Sequence, residues 1–238
     1  MSIPYKRVLL KLSGERMAKP NSNGVLSMTE ITHLADEVIS LHEEGVEVGV
    51  VLGAGNILRG SEAAAAGFVE AQAHSMGMLA TVINALALQS IIEQKGKDTR
   101  VMTAVTMNSI AEPYIRRRAI RHMEKGRIVI LAGGTGNPFF TTDSAGALRA
   151  IELNADVLIK ATQVDGIYDK DPNKFDDAVH LGDISYREIL VDNLKVMDGA
   201  AIALCREHKM PLMVCSIEGE GSLMNAITGK AKRTLVNA

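Results

Sequence analysis

Residues 127–153 read RIVILAGGTGNPFFTTDSAGALRAIEL, and this segment is the strongest indication of the fold. The β-branched run at its start predicts a buried strand over 127–131, and the spacing of its last part predicts a helix over 144–153. The loop between them holds three glycines, four hydroxyl or amide side chains, two phenylalanines and Asp143. A strand that passes through such a loop into a helix is typical of a parallel sheet that binds ligands at its carboxyl edge.

The same alternation of short apolar runs and helical patterns continues along the whole chain. Further strands are predicted at 7–12, 46–52, 100–105, 157–159 and 210–215. Further helices are predicted at 28–44, 73–94 and 111–125. We therefore predict an α/β fold, a three-layer α/β/α sandwich with a mainly parallel central sheet, in one domain spanning residues 1–238.

Two segments leave alternatives open at this stage. In the helix predicted at 73–94, one face carries five apolar residues, which suit either core packing or a contact between subunits. They are Met76, Leu79, Ile83, Leu86 and Ile91. The polar, turn-rich segment 165–183 is either a surface excursion or one wall of a cleft.

Composition excludes several classes of protein. With 47% hydrophobic residues among 238, the chain has enough apolar side chain to fold. A net charge of −2 and only 3% aromatic residues disfavour a nucleic-acid-binding surface. Cys205 and Cys215 stand apart and the histidines form no ligand pair, so we expect no metal cage built by the protein. No uninterrupted apolar stretch suits a membrane span, so we expect no membrane partner and a cytoplasmic location.

Three further motifs follow predicted strands. Lys11 stands before Ser13-Gly14, a pattern that favours anion binding but also suits a simple turn. The segment 53–56, GAGN, is followed by Arg59 and is weak evidence for a phosphate site, since it matches neither GxGxxG nor the Walker A pattern.

The third motif, KATQVDGIYDKDP at 160–172, places a second lysine at a strand end. Lys11 and Lys160, with Asp143 able to hold both, suit phosphoryl transfer. That reaction depends on positive charge spread over the transferred group more than on covalent chemistry.

Taken in order along the chain, several of these motifs resemble those of bacterial uridylate kinases, which have the amino-acid kinase fold. The resemblance runs from about Tyr5 to the C-terminus and is most specific in the block GTGNPFFTTD. The matching segments are KLSGE, GAGN with the following Arg, MGMLATVINALALQ, GTGNPFFTTD, KATQVDGIYDKDP and KVMD. The resemblance implies transfer of the γ-phosphate of Mg-ATP to UMP.

The resemblance also implies a role for individual residues. Catalytic roles fall on Lys11, Lys160, Asp143 and Asp198. ATP binding falls on Lys11, Leu12, Ser13, Gly14, Gly55, Arg59, Thr162, Gln163, Tyr168 and Asp171. UMP binding falls on Ala54, His74, Thr135, Gly136, Asn137, Pro138, Phe139, Phe140, Thr141 and Thr142. On this basis the N-terminal part forms mainly the UMP side, and the part from about residue 150 forms mainly the ATP side.

The chain departs from the family pattern at three places. Ala54 replaces a glycine, His74 replaces an acid, and the segment 19–24 lacks the glycine- and aromatic-bearing pattern tied to GTP activation. The resemblance further implies a homohexamer, Mg²⁺ bound with ATP, inhibition by UTP and a place in pyrimidine nucleotide biosynthesis.

Two other functions remain open from the sequence. One keeps the fold but transfers phosphate to a carboxylate or carbamate, which would require basic residues in place of the GTGNPFF loop. The other is an inactive relative that binds nucleotides as a sensor, for which Ala54 and His74 are the only sequence support.

We predict that His74→Asp lowers the KM for UMP and flattens its dependence on pH. A carboxylate accepts stronger hydrogen bonds from ribose hydroxyls than a neutral imidazole does, and a protonated imidazole accepts none. The measurement is the KM for UMP of both proteins between about pH 6 and 8.5. Equal values with the same pH profile would remove His74 from ribose binding.

Overall fold

The structure, a computed structural model, describes residues 3–19 and 24–237. The strands within these residues are β1 (Arg7–Leu12), β2 (Glu47–Leu52), β3 (Thr99–Thr103), β4 (Glu112–Pro113), β5 (Ile128–Ala132), β6 (Val157–Thr162), β7 (Ile167–Tyr168), β8 (His180–Leu181), β9 (Asp183–Ser185), β10 (Leu212–Ser216) and β11 (Arg233–Asn237). The helices are α1 (Met28–Glu43), α2 (Gly60–Ala65), α3 (Glu70–Gln94), α4 (Arg116–Glu124), α5 (Thr142–Glu152), α6 (Tyr186–Val191), α7 (Gly199–Glu207) and α8 (Ser222–Ile227), with a 3-10 helix at Gly14–Met17.

Within this part of the chain, nine strands form one sheet in the order β4-β3-β5-β2-β1-β6-β10-β11-β9. All neighbouring pairs in it are parallel except β10 and β11. The strands β7 and β8 form a separate antiparallel hairpin. The predicted mainly parallel sheet is confirmed.

Side chains that alternate along each strand fill two cores, one on each face of the sheet. Leu10 and Leu12 of β1 pack with α1, α3 and α8, whereas Leu9 packs with α4, α5 and α7. This arrangement confirms the three-layer α/β/α sandwich. By the same alternation, Lys11 shares the face of Leu9, so its side chain points toward α5.

The register of the central strands brings the two predicted lysines together. Lys11 of β1 lies directly beside Lys160 of β6, because these parallel strands pair residue for residue from Val8 with Val157 onward. Both lysines are therefore neighbours on one face of the sheet, close to its carboxyl edge.

The predicted helix 111–125 was wrong at its start. Glu112 and Pro113 pair with β3 as a short edge strand, and α4 begins only at Arg116. A helix that began at Ala111 would need helical backbone at Glu112, which the following proline disfavours.

Helix α3 buries only part of the face that the apolar spacing indicated: Ile91 lies in the core and Leu86 packs against it. Met76, Leu79 and Ile83 are exposed, the last two by 48% and 49%. The fully buried residues of the helix include Ala85, Leu88 and Ile92, whose spacing of three and four residues places them on one face. Core packing therefore does not explain the exposed stripe, while the alternative of a subunit contact stays open.

By length and composition, α3 is also the one helix in residues 3–19 and 24–237 that could cross a membrane. In the structure it packs against α1 and against the sheet. A long core helix satisfies the same criterion of length and composition.

Candidate active site

Asp143 forms ion pairs with two lysines at the centre of the site. Its Oδ1 lies 2.7 Å from Nζ of Lys11, and its Oδ2 lies 2.8 Å from Nζ of Lys160. All three side chains are largely buried, with 11 to 17% of each exposed. Two ammonium groups side by side on neighbouring strands would repel each other, and the carboxylate between them offsets this repulsion. We call these three residues the lysine–aspartate triad.

The triad shifts the proton affinities of its members. Burial raises the pKa of Asp143, but the charges of Lys11 and Lys160 outweigh it, so the carboxyl group has a pKa below its ordinary value. Burial also lowers the pKa of Lys160, and Lys11 adds to this effect, while Asp143 opposes it. The carboxylate of Asp143 therefore helps Lys160 to keep its proton, and with both lysines protonated the triad has a net positive charge.

The start of α5 places Asp143. The hydroxyl oxygen of Thr141 accepts a hydrogen bond from the backbone N–H of Asp143 at 3.0 Å and caps the helix. Lys160 is held independently, because its Nζ donates to the carbonyl of Val196 at 2.6 Å.

Asp198 caps α7 and also fastens the start of α5. It accepts hydrogen bonds from the backbone N–H of Ala201, from the hydroxyl of Ser144 at 2.8 Å, and from the hydroxyl of Thr141. Its hydrogen bonds therefore go to helix ends, and its negative charge also raises the pKa of Lys160. None of these hydrogen bonds joins Asp198 to Lys11 or Lys160.

A first cavity of about 420 Å³ opens beside Lys11, at the carboxyl ends of β1, β2 and β5. It brings together most of the residues predicted in the N-terminal half. These are Lys11, Ser13, Gly14, Ala54, Gly55, Arg59, His74, Thr135, Asn137, Phe140, Thr141 and Thr142. Leu12, Gly136, Pro138 and Phe139 do not line it. Leu12 is a core residue with no exposed surface.

The loop 133–141 forms one wall of this cavity. Gly133, Gly134 and Gly136 have positive φ, which explains the need for glycine there. Phe139 also has a positive φ of 70°, an uncommon and strained conformation for an aromatic residue. Such strain in a loop that lines a cavity is typical of functional sites.

His74 lies in the cavity wall and does not turn away from it. Its ring contacts the ring of Phe139 with 5.3 Å between centroids, and its Nε2 lies 4.0 Å from a carboxylate oxygen of Glu70. Ala54, the other departure from the family pattern, keeps a backbone outside the left-handed region. The methyl group of Ala54 is therefore compatible with this loop.

Arg59 and Gly55, predicted on the ATP side, lie in the first cavity. Arg59 pairs with Glu15 and lies 3.6 Å from Glu62. A side chain at Gly55 would come within 3.2 Å of both Arg59 and Glu15. The glycine therefore leaves room for this ion pair at the mouth of the cavity.

A second cavity of about 560 Å³ opens beside Lys160. Thr162, Tyr168 and Asp171 line it as the sequence reasoning expected, whereas Gln163 is exposed outside it. The segment 165–183 contains the hairpin β7–β8 and forms one wall, so it is a cleft wall and not a mere surface excursion. Tyr168 donates to Asp165 at 2.6 Å, and this hydrogen bond raises the pKa of Tyr168.

The lysine–aspartate triad therefore stands between two cavities, with Lys11 in the wall of the first and Lys160 in the wall of the second. The residues that line the first cavity all fall between 11 and 142, and those that line the second fall between 160 and 214.

Sequence reasoning missed Met78 and Thr81 of α3 in the first cavity and Val196 in the second. A threonine inside an apolar helix was the available signal for Thr81. The segment 19–24, which departs from the family pattern, lies for the most part outside the described residues.

The model of the amino acid kinase family matches residues 6–216 of the chain. The chain therefore belongs to the amino acid kinase family.

Within that family it is a member of the uridylate kinases, which are nucleoside monophosphate kinases. It is 51% identical over 234 residues to the uridylate kinase of Dichelobacter nodosus, covering 98% of this chain and 97% of that protein. It is 52% identical over 227 residues to the uridylate kinase of Helicobacter hepaticus, covering 95% and 96%.

Solved structures agree with this assignment. The crystal structure of UMP kinase from Bacillus anthracis superposes with a TM-score of 0.94 at 40% identity, covering 98% of this chain and 96% of that one. The crystal structure of UMP kinase from Ureaplasma parvum superposes with a TM-score of 0.93 at 33% identity, covering 98% and 99%. The predicted resemblance and fold are confirmed, whereas the roles of single residues stay predictions.

We predict that Asp143→Asn moves the alkaline limb of the pH–rate profile to lower pH, in addition to lowering kcat. Asp143 raises the pKa of Lys160, so its loss lets Lys160 give up its proton at a lower pH. The measurement is kcat/KM for ATP between about pH 7 and 10. Glu124→Gln, which removes a surface partner of Arg121, is the control. An alkaline limb unchanged in Asp143→Asn would contradict the coupling.

Proposed function

We propose that this chain transfers the γ-phosphoryl group of Mg-ATP to UMP and forms UDP and ADP, as a step of pyrimidine nucleotide (UTP and CTP) biosynthesis. The observation that carries the proposal is the lysine–aspartate triad, which stands between two cavities at the carboxyl edge of a parallel sheet. Membership of the uridylate kinases supports the choice of substrates.

Phosphoryl transfer requires the protein to stabilise negative charge and to align the two substrates. The oxygens of the transferred group carry negative charge that spreads in the transition state, and two fixed ammonium groups stabilise it. Lys11 and Lys160 approach the space between the cavities from neighbouring strands, and Asp143 holds both in place before substrate binds. We assign the catalytic role to the lysines and a positioning role to Asp143 and Asp198.

We assign UMP to the first cavity and ATP to the second. The loop 133–141 offers backbone N–H groups and the side chains of Thr135, Asn137 and Phe140 to a uridine nucleotide. The second cavity offers Thr162, Tyr168 and Asp171 to the adenosine. Lys11, Ser13 and Gly14 lie where the phosphates of the two nucleotides would meet.

Magnesium enters this proposal as part of the substrate Mg-ATP. The described residues hold no group of three histidine, cysteine, aspartate or glutamate side chains suited to a metal. Asp143 has both carboxylate oxygens paired with lysines, so it is not a free ligand. Mg²⁺ in kinases is bound largely by substrate phosphates and water, and this donor set fits that mode.

Substrate tests separate the proposal from its alternatives. ADP release is measured with UMP, CMP, dCMP and the carboxylate acceptors, each alone. Turnover restricted to UMP supports the proposal, and turnover of a carboxylate would identify a different kinase of the same family. No turnover with any acceptor would indicate a nucleotide-binding relative without activity.

We predict that Lys11→Ala lowers kcat by about a hundredfold or more, while binding of ATP weakens less. The loss of a charge that acts in the transition state lowers kcat more than it raises KM. Steady-state kinetics at varied ATP and UMP measure both effects. The matched control is Lys125→Ala, which removes a lysine from the end of α4 far from the triad. Unchanged turnover in Lys11→Ala would remove this residue from the chemistry.

We further propose that the chain forms a homohexamer in the cytoplasm and is inhibited by UTP. The exposed apolar stripe of α3, formed by Met76, Leu79 and Ile83, supports a subunit contact because exposed apolar side chains grouped on one helix face favour association. The rates with UTP, and with and without GTP at subsaturating ATP, decide the regulation.

We predict that Leu79→Glu lowers the mass of the particle in solution. A charged side chain in the middle of an apolar contact must be desolvated and opposes association. Light scattering at matched concentrations measures the mass. Met28→Glu, at an apolar residue that is 64% exposed on α1, is the control and leaves the mass unchanged. The proposed contact is excluded if Leu79→Glu has the mass of the unmodified protein.

A further inference from the structure

Two polar side chains lie buried in the long apolar helix α3. Thr81 is 2% exposed and Asn84 is not exposed at all. They are three residues apart and therefore lie on one face of the helix. Buried polar groups cost free energy unless they are hydrogen-bonded, so the question is which groups they bind.

Thr81 binds the start of the loop 133–141. Its hydroxyl oxygen accepts a hydrogen bond from the backbone N–H of Gly133 at 2.8 Å, and its hydroxyl donates to the carbonyl of Met78 at 2.6 Å. Gly133 is the residue at which the chain leaves β5 with positive φ. The hydroxyl of Thr81 thus determines where the loop begins.

Asn84 binds the loop 53–56. Its amide nitrogen donates to the carbonyl of Gly53 at 2.8 Å and to Oδ1 of Asn56 at 2.8 Å. In return the amide nitrogen of Asn56 donates to Oδ1 of Asn84 at 3.0 Å and also to the carbonyl of Val25 at 2.6 Å. The two asparagines form a reciprocal amide pair that fastens this loop to α3.

Gly14, in the segment that follows Lys11, packs closely against the loop 53–56. A Cβ added to Gly14 would lie 2.5 Å from the carbonyl oxygen of Gly53 and 2.6 Å from Oδ1 of Asn56. Only glycine fits such a close approach. The position of Gly14, three residues after the catalytic lysine, therefore depends on the groups that Asn84 holds.

We infer that Thr81 and Asn84 are positioning residues of the acceptor site, which set the placement of the three segments that wall the first cavity. These segments are 13–15, 53–56 and 133–141. Neither residue is assigned a part in the chemistry: each acts through the backbone group or amide that it binds. The inference rests on the proposed function for the identity of the acceptor, UMP.

The first test compares Thr81→Val with Thr81→Ser. Valine keeps the shape but removes the hydroxyl, whereas serine keeps the hydroxyl that Gly133 requires. Thr81→Val raises the KM for UMP by about tenfold or more and leaves the KM for ATP within about twofold, since small displacements of a binding loop reduce binding strongly. Thr81→Ser stays close to the unmodified protein. Ser90→Ala, at an exposed serine of the same helix, is the control.

The second test uses Asn84→Asp, which keeps the size of the side chain and an acceptor for Asn56 but removes the donor to both Gly53 and Oδ1 of Asn56. It raises the KM for UMP, and by displacing Gly14 it also lowers kcat. If this buried charge prevents folding, the uncharged Asn84→Ala, which also removes the donor to Gly53, takes its place in the same assays.

Hydrogen exchange provides a readout that does not depend on activity. Thr81→Val accelerates amide exchange about tenfold in residues 133–141, with the rest of the sheet unchanged, because the loop loses its anchor. Unchanged exchange there, with an unchanged KM for UMP, would overturn the inference, as would a lower melting temperature with both KM values unaltered. If the unmodified protein fails to phosphorylate UMP, the proposed function fails, and the exchange comparison still decides the positioning role.

Discussion

A carboxylate held between two ammonium groups is the interaction on which the rest of the site depends. Lys11 and Lys160 are neighbours in the register of β1 and β6, so they would repel each other if nothing lay between them. Asp143 reaches them from the start of α5 and pairs with both. Because all three groups are largely buried, loss of Asp143 would leave two ammonium groups side by side without compensation, which is strongly destabilising. The same arrangement keeps positive charge at the edge where the two cavities meet.

The fold supports this interaction through the ends of its helices. Asp198 caps α7 and binds Thr141 and Ser144 at the start of α5, so two helices on one face of the sheet begin at a shared carboxylate. On the other face, Thr81 and Asn84 of α3 hold the loops that wall the first cavity. The segments that wall the first cavity are therefore held by hydrogen bonds from both layers of helices. These bonds position loops that have little regular secondary structure.

Local pattern predicted the elements that are long and regular. The apolar runs of β1, β2 and β5 and the spacing of α1 and α5 were read correctly to within one or two residues at most ends, because buried strands and amphipathic helices leave a periodic trace. The short strands β4, β7, β8 and β9 have only two or three residues each and leave no such trace. At Glu112–Pro113 a helical pattern was misread, because proline and pairing with β3 outweighed the spacing.

The amino-acid sequence alone specifies the available chemistry, namely two lysines and an acid near strand ends and a glycine-rich loop. It also specifies an order of strands and helices that predicts a parallel sheet. The sequence also suggested that Asp143 could hold both lysines, and the structure shows one carboxylate oxygen on each. Tertiary packing alone leaves Gln163 outside the second cavity and turns Met76, Leu79 and Ile83 outward and Asn84 inward. The reason is physical. Periodicity shows that a helix has distinct faces, but which face is buried depends on the partners that pack against it, and those partners are distant in the chain.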